Sequence, residues 1–189
     1  NDPDQDGYKN QNVSCRLAYE WAEGHEISAS ALRTRGDAEF DAGGAYYDSS
    51  IGPWGSMVPY TIDNEHYITD LSQFSIASRN KITDQIQSNL QLSVSREKGK
   101  SQTDENTDYY VNSKDKRAQW IISGDHEHVQ WQVGTEWLKQ QVDSNTVYVR
   151  DSRINRAFFG AVNGNFNRFL IESSLRQDRD SQYGSHTTG

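Results

Sequence analysis

Apolar and polar residues alternate along several stretches of this chain, and the stretches come in pairs joined by tight turns. Asp84 to Ser95 shows it most clearly: Ile86, Leu90, Leu92 and Val94, with Ser88 among them, share one parity, while Gln85, Gln87, Asn89, Gln91, Ser93 and Ser95 share the other. Side chains on a strand alternate faces with period 2, so such a run makes one apolar and one wet face. The pairs are separated by long polar segments. Short turns alternating with long loops over two-faced strands are the pattern of an outer-membrane β-barrel.

Four pairs are expected. The first two strands run from about Tyr8 to Trp21 and from Glu26 to Arg35, joined at Ala22-Glu23-Gly24-His25. Gly36 to about Thr69 reads as a long insertion, with five Gly, two Pro and several Tyr, of a length that in compact domains is usually functional. Strands follow at Asp70–Arg79 and Asp84–Arg96, then a charged loop, Glu97–Asp108. The third pair is Tyr109–Ser123, turning at Gly124-Asp125-His126 into a strand carrying Val129, Trp131, Val133 and Trp137. Gln141–Ser152 is the next loop. The last pair, Arg153–Val162 and Asn165–Gln177, is joined at Asn163-Gly164, a dipeptide suited to the positive φ of a two-residue hairpin turn.

Apolar residues make up only 33% of the 189, and no run approaches the roughly 20 residues of a membrane-crossing helix. A barrel needs only every second residue to face lipid. The expected fold is therefore all-β, about eight consecutive antiparallel strands of a transmembrane β-barrel, with a soluble β-sandwich as the alternative. The chain opens at Asn1 without an initiator Met and closes at Gly189 in a polar run, and it reads as a partial barrel domain spanning 1–189. A net charge of −8 without a basic cluster argues against nucleic acid as a partner. The single cysteine, Cys15, allows no internal disulfide and reads as a small hydrophobe on an apolar face. No nucleophile elbow or ordered triad is present, so no enzyme is expected.

The sharpest local motif is Asp2-Pro3-Asp4-Gln5-Asp6-Gly7. Carboxylates at alternate positions followed by a glycine give the oxygen-rich setting hard cations require. An EF-hand is excluded, because the twelfth position counted from Asp2 is Val13 and a strand follows. Folding back the first hairpin about Ala22–His25 brings Asp41 near the Asp2–Asp6 cluster, where a cation would neutralise the repulsion. A solvated acidic turn remains the competing reading.

These residues, Asp2 to Tyr8 with Glu39-Phe40-Asp41-Ala42, resemble the calcium-binding extracellular loops of the TonB-dependent outer-membrane vitamin B12 (cobalamin) transporters, the BtuB family. Val133 to Gln140 and the final hairpin through Arg176 to Gly184 agree with it in order and spacing. The resemblance implies the first half of a barrel of twenty-two strands in the bacterial outer membrane. It further implies calcium as cofactor, cobalamin as the transported substrate, outer-membrane lipid around the wall, and TonB acting through a plug domain that precedes the barrel. Carried over by position, Asp2, Asp4, Asp6 and Asp41 are calcium ligands, Phe40 contributes its backbone carbonyl where the family has Tyr, and Ala42 touches cobalamin. One further aspartate is taken as Asp63 in preference to Asp48. The short turns then lie on the periplasmic side and the long connections outside. An iron-siderophore or other metal-chelate receptor is the alternative of the same architecture, and a calcium-binding soluble β-sandwich the alternative of another.

Overall fold

The structure is a computed structural model; it describes residues 7–103 and 106–189, without the side chains of 41–44, 60–64, 103 and 106–108. Among the described residues nine antiparallel strands form one sheet in simple chain order: β1 Tyr8–Ala22, β2 His25–Asp48, β3 Ser56–Lys81, β4 Ile86–Thr103, β5 Asn106–His126, β6 Val129–Ser144, β7 Ser152–Phe166, β8 Phe169–Asp180 and β9 Gly184–Thr188. Every strand pairs with its sequence neighbour, and β1 and β9 stand at the two edges. No helix among the described residues is long and apolar enough to cross a membrane.

The ladders confirm the two-faced reading. One face carries Val13, Cys15, Leu17, Tyr19 and Trp21 on β1, against Ala29 and Ala31 on β2. It continues through Phe74 and Ile76, paired with Val94 and Leu92, then Leu90 opposite Trp120 and Ile122 opposite Val133. Gly160 opposite Leu175 carries it on to β8. The apolar segments of β1 (13–21), β4 (86–94) and β6 (129–137) are each about nine residues long, close to the roughly 9–11 a tilted strand needs to cross the hydrocarbon. Leu17, Phe158 and Leu175 are 72%, 69% and 60% exposed, and Ala157 is the only buried apolar residue among those described. No second layer covers this face, so Cys15 too is exposed, not enclosed.

The other face is hydrophilic. Ser30 and Ser75 exchange a hydroxyl hydrogen bond of 2.7 Å across β2 and β3. Farther along, nearly buried Glu136 accepts from Arg176 Nη2 at 3.0 Å and from Gln119 Nε2 at 3.3 Å, with Arg117 Nε 3.7 Å away. Arg176 also donates twice to Asp178 (2.8 and 2.9 Å). Polar groups of this kind are stable where they face water or one another, which an inner barrel wall provides.

Nine strands are present among the described residues, the expected run of about eight with a short one, Gly184–Thr188, added. Three expectations are corrected. The segments taken as long loops are mostly strand: Gly36 to Thr69 is the upper part of the β2–β3 hairpin, whose tip is only residues 49–55. Ladder hydrogen bonds are made by the backbone alone, so a strand that has left the membrane needs no apolar alternation. The Asn163-Gly164 turn is also displaced. Those residues pair with Glu172 and Ile171 within the ladder, and the chain reverses at Asn167-Arg168, where Asn167 has φ 56°. Gly164 lies beneath an aromatic ring instead: a Cβ there would stand 2.6 Å from Phe166 Cε2. The third turn likewise sits at Glu127-His128, beyond Gly124-Asp125-His126, with Glu127 at φ 41°.

Candidate functional site

β3, with 26 residues, is about 85 Å long at about 3.3 Å per residue, and only its last third, which carries Phe74 and Ile76, is needed to cross a membrane. The β2–β3 hairpin therefore projects far beyond the apolar band, at the end away from the short turns. The start of β1 is fastened to it. Glu39 N–H donates to the Gly7 carbonyl at 2.8 Å, and Gly7 N–H donates to Glu39 Oε2 at 3.2 Å, one step beyond the Tyr8–Ala38 pair. Asp2, Asp4 and Asp6 lie outside the described residues. Gly7, the next residue in the chain, is thus held two positions from Asp41.

Asp41 occupies the one irregularity in the β2–β3 ladder. Phe40 pairs with Glu65 and Ala42 with Ile62, so Asp41 on β2 stands opposite two residues of β3, Asp63 and Asn64. That is a β-bulge, which twists a strand and re-aims its side chains. The side chains of Asp41, Ala42 and Asp63 are not among those described. Asp48 is elsewhere: seven residues farther along β2, about 23 Å away at the usual rise. Its Oδ1 accepts from the Ser50 hydroxyl at 2.6 Å and the Ser50 N–H at 2.8 Å. These bonds hold its carboxyl below the usual carboxylate range, the hydroxyl having the larger effect. Asp48 thus shapes the hairpin tip.

Around the bulge the other charged groups are mostly paired. His66 Nδ1 is 3.0 Å from Asp37 Oδ1 and 4.0 Å from Glu39 Oε1, and Lys9 Nζ is 3.9 Å from the same Glu39 oxygen. Glu65 accepts a hydrogen bond from the Ser101 hydroxyl on β4. Phe40 is 37% exposed. Calcium takes six to eight oxygen ligands, and the bulge sets Asp41, Asp63 and Asn64, all oxygen donors, at facing backbone positions, a donor set that fits it. Among the described residues no group of three or more His, Cys, Asp or Glu suited to a metal forms.

Two connections at this end expose large apolar side chains. At the β2–β3 tip Trp54 is 88% exposed, and the Tyr47 hydroxyl donates to its carbonyl at 2.6 Å. In the β6–β7 connection Val147 and Val149 are fully exposed. Sequence reasoning did not single these residues out. Pro53-Trp54-Gly55 was nonetheless a signal, since a large aromatic inside turn residues has no core to enter. A concavity of about 620 Å³ lies at the opposite end near the short turns, lined by Gln87, Ser123, Asp125, Gln130 and Asn163 among others. It belongs to the curved polar face of an open sheet and holds none of the candidate residues.

No protein-family profile matches the chain. The vitamin B12 transporter BtuB of Vibrio cholerae serotype O1 is 25% identical over 193 residues, covering 100% of this chain and 29% of that protein; the values are the same in strains O395, M66-2 and N16961. The chain therefore spans under a third of these relatives. Among solved structures, the siderophore receptor PirA from Pseudomonas aeruginosa superposes with a TM-score of 0.57 at 12% identity, over 94% of this chain and 35% of that one. The chain accordingly shares the β-barrel wall fold of that receptor.

Proposed function

We propose that this chain is part of the barrel of a TonB-dependent outer-membrane transporter, that its ligand is cobalamin, and that calcium orders the outward end before the ligand arrives. The supporting observation is the likeness to BtuB over the whole chain, combined with the Asp41 bulge on a hairpin that stands well clear of the membrane band. In this reading Asp2, Asp4, Asp6, Asp41 and Asp63 supply carboxylates, Phe40 its carbonyl, and Ala42 a ligand contact. The role of such an ion is preorganisation: it fixes loop segments whose ordering would otherwise oppose ligand binding. The remaining barrel, a plug and TonB itself complete the transporter, and none of the residues is assigned a catalytic step.

Calorimetric titration of the full-length protein tests this. Asp4→Ala combined with Asp6→Ala, and separately Asp63→Ala, should weaken cobalamin binding in calcium and abolish its calcium dependence. Asp48→Ala should retain it. Cobalamin affinity unaffected by calcium in the unmodified protein would overturn the calcium mechanism. The superposition on a siderophore receptor favours a second cargo, a ferric chelate of similar bulk. Competition between cobalamin and ferric siderophores at the same sites separates the two.

A further inference from the structure

The polar face is not uniform along its length. Its middle is charged, with Arg176 bonded to both Glu136 and Asp178, but toward the short turns the strands carry carboxamides and hydroxyls instead. Gln132 and Gln130 on β6 lie four and six residues before Glu136 and share its parity. They therefore stand on the same face, about 13 and about 20 Å from it at the usual rise of about 3.3 Å per residue. On β4 Gln87, Asn89 and Gln91 share that face.

The register arranges these groups in two adjacent rows. In the first, Gln87 pairs with Ser123, Ser123 with Gln132 and Gln132 with Ala161. Long and short side chains thus alternate, and directly opposed Cβ atoms are about 4.5–5.5 Å apart, so Ser123 and Ala161 form notches beside the glutamines. In the second row, Asp125 pairs with Gln130 and Gln130 with Asn163. With Gln85 these residues wall the concavity of about 620 Å³, a volume usual for a small-molecule site.

Most of the amides are uncommitted. Gln130 Nε2 donates to Asp125 Oδ2 at 3.3 Å, whereas the carboxamides of Gln85, Gln87, Gln132 and Asn163 make no hydrogen bond among the described residues. Each carries two donors and a carbonyl acceptor. No lysine or arginine is among the described residues that line the concavity, and Glu172, opposite Asn163, forms no ion pair among them. The cation next to it in the register, Lys81 opposite Gln87, is held by Asp84 at 2.6 Å. Two carboxylates without a free cation repel an anion, while paired donors and acceptors suit a neutral ligand that has both.

We infer that this concavity is a transit site, taking a neutral ligand fringed with carboxamides or hydroxyls after it has left the outward end. The inference rests on the transporter reading with cobalamin as cargo and deepens it. Cobalamin carries carboxamides around its ring, whereas an anionic ferric chelate would meet Asp125 and Glu172 with no counter-charge. The site lies at the short-turn end, past the charged middle, so it acts on passage and not on capture. Each neutral hydrogen bond replaces one to water and contributes little net, so several weak contacts hold the cargo without trapping it. Selectivity along such a route comes from the donors and acceptors that line it and from electrostatic barriers.

The full-length protein in intact cells tests this by separating capture from passage. Gln87→Leu with Gln132→Leu keeps side-chain bulk and removes both amides. The pair should lower the energised uptake rate of cobalamin at least fivefold, and leave equilibrium binding to de-energised cells within twofold. Gln73→Leu with Asn12→Leu, the same loss on the polar face of β3 and β1, should change neither by more than twofold. A cobalamin derivative with one peripheral carboxamide hydrolysed to carboxylate should enter at least threefold more slowly than cobalamin. Asp125→Asn with Glu172→Gln should restore at least half of that difference, a gain that a misassembled barrel would not give. Uptake unchanged by the glutamine pair, or lowered equally by the β1–β3 pair, overturns the inference while the transporter reading stands. So does a carboxylate derivative that enters as fast as cobalamin, or whose uptake the two neutral substitutions leave unchanged. If the unmodified protein binds no cobalamin, the cargo assignment fails and the transit site falls with it.

Discussion

Glu136 and Asp84 show why a short ion-pair distance is a poor guide to its worth. The Lys81–Asp84 pair is closer, at 2.6 Å, than Arg176–Glu136 at 3.0 Å. Asp84's side chain is 92% exposed, however, and Glu136's only 10%. Water and salt screen the first, so its loss is offset by rehydration. Removing Glu136 leaves Arg117 without its partner and Gln119 without its acceptor. Glu136→Ala should therefore cost about 1–3 kcal/mol in unfolding of the full-length protein, while Asp84→Ala should leave the denaturant midpoint unmoved. Equal midpoints for the two variants would count against the inner-face network. That Glu136 lies on the polar face follows from alternation along β6 and was legible in the sequence. That Asp41 faces Asp63 and Asn64 was not, because it depends on a register running back from the hairpin tip and broken once by a bulge.

At the scale of elements, alternation located every strand that crosses the band, and failed where strands leave it. Phe74, Ile76 and Leu92 announce themselves because lipid or a core selects them. Tyr46 to Asp48 and Ser56 to Val58 are paired just as continuously, but solvent lies on both faces and selects no period. Turn chemistry misled for a related reason. Asn-Gly is a strong turn signal in isolation, yet Gly164 is placed beneath Phe166 and the left-handed residue is Asn167. The two placements predict different mutants. Asn167→Val forces a β-branched residue to φ 56° and should destabilise by about 1–2 kcal/mol, Asn167→Gly should be tolerated, and Asn163→Val should fall within the scatter of surface substitutions. Chemical denaturation of the detergent-solubilised protein distinguishes them; a larger loss at Asn163 than at Asn167 would move the turn back by four residues.

At the scale of the whole sheet the decisive quantity is what remains uncovered. Among the described residues one apolar side chain is buried, while Val13, Leu17, Leu92, Val133, Phe158 and Leu175 are all at least 48% exposed along a single face. At about 25 cal/mol per Å² of apolar surface, a face of that extent cannot remain in water without association. Nor can β1 and β9 present unpaired backbone groups to hydrocarbon, where each costs several kcal/mol. The polar face has the opposite requirement, since Glu136, Arg176 and Asp178 need water or a polar partner. Only a closed wall with lipid outside and a hydrated interior meets all three conditions, which no sandwich of this sheet could. Residues 1–189 produced alone should therefore sediment as large assemblies in detergent-free buffer and stay dispersed only in micelles. The full-length protein should sediment in detergent as one compact particle whose β content survives in the micelle. A monomer of 1–189 stable in water without detergent would overturn the barrel assignment and favour the calcium-binding sandwich, because it would require this apolar face to find cover within the chain itself.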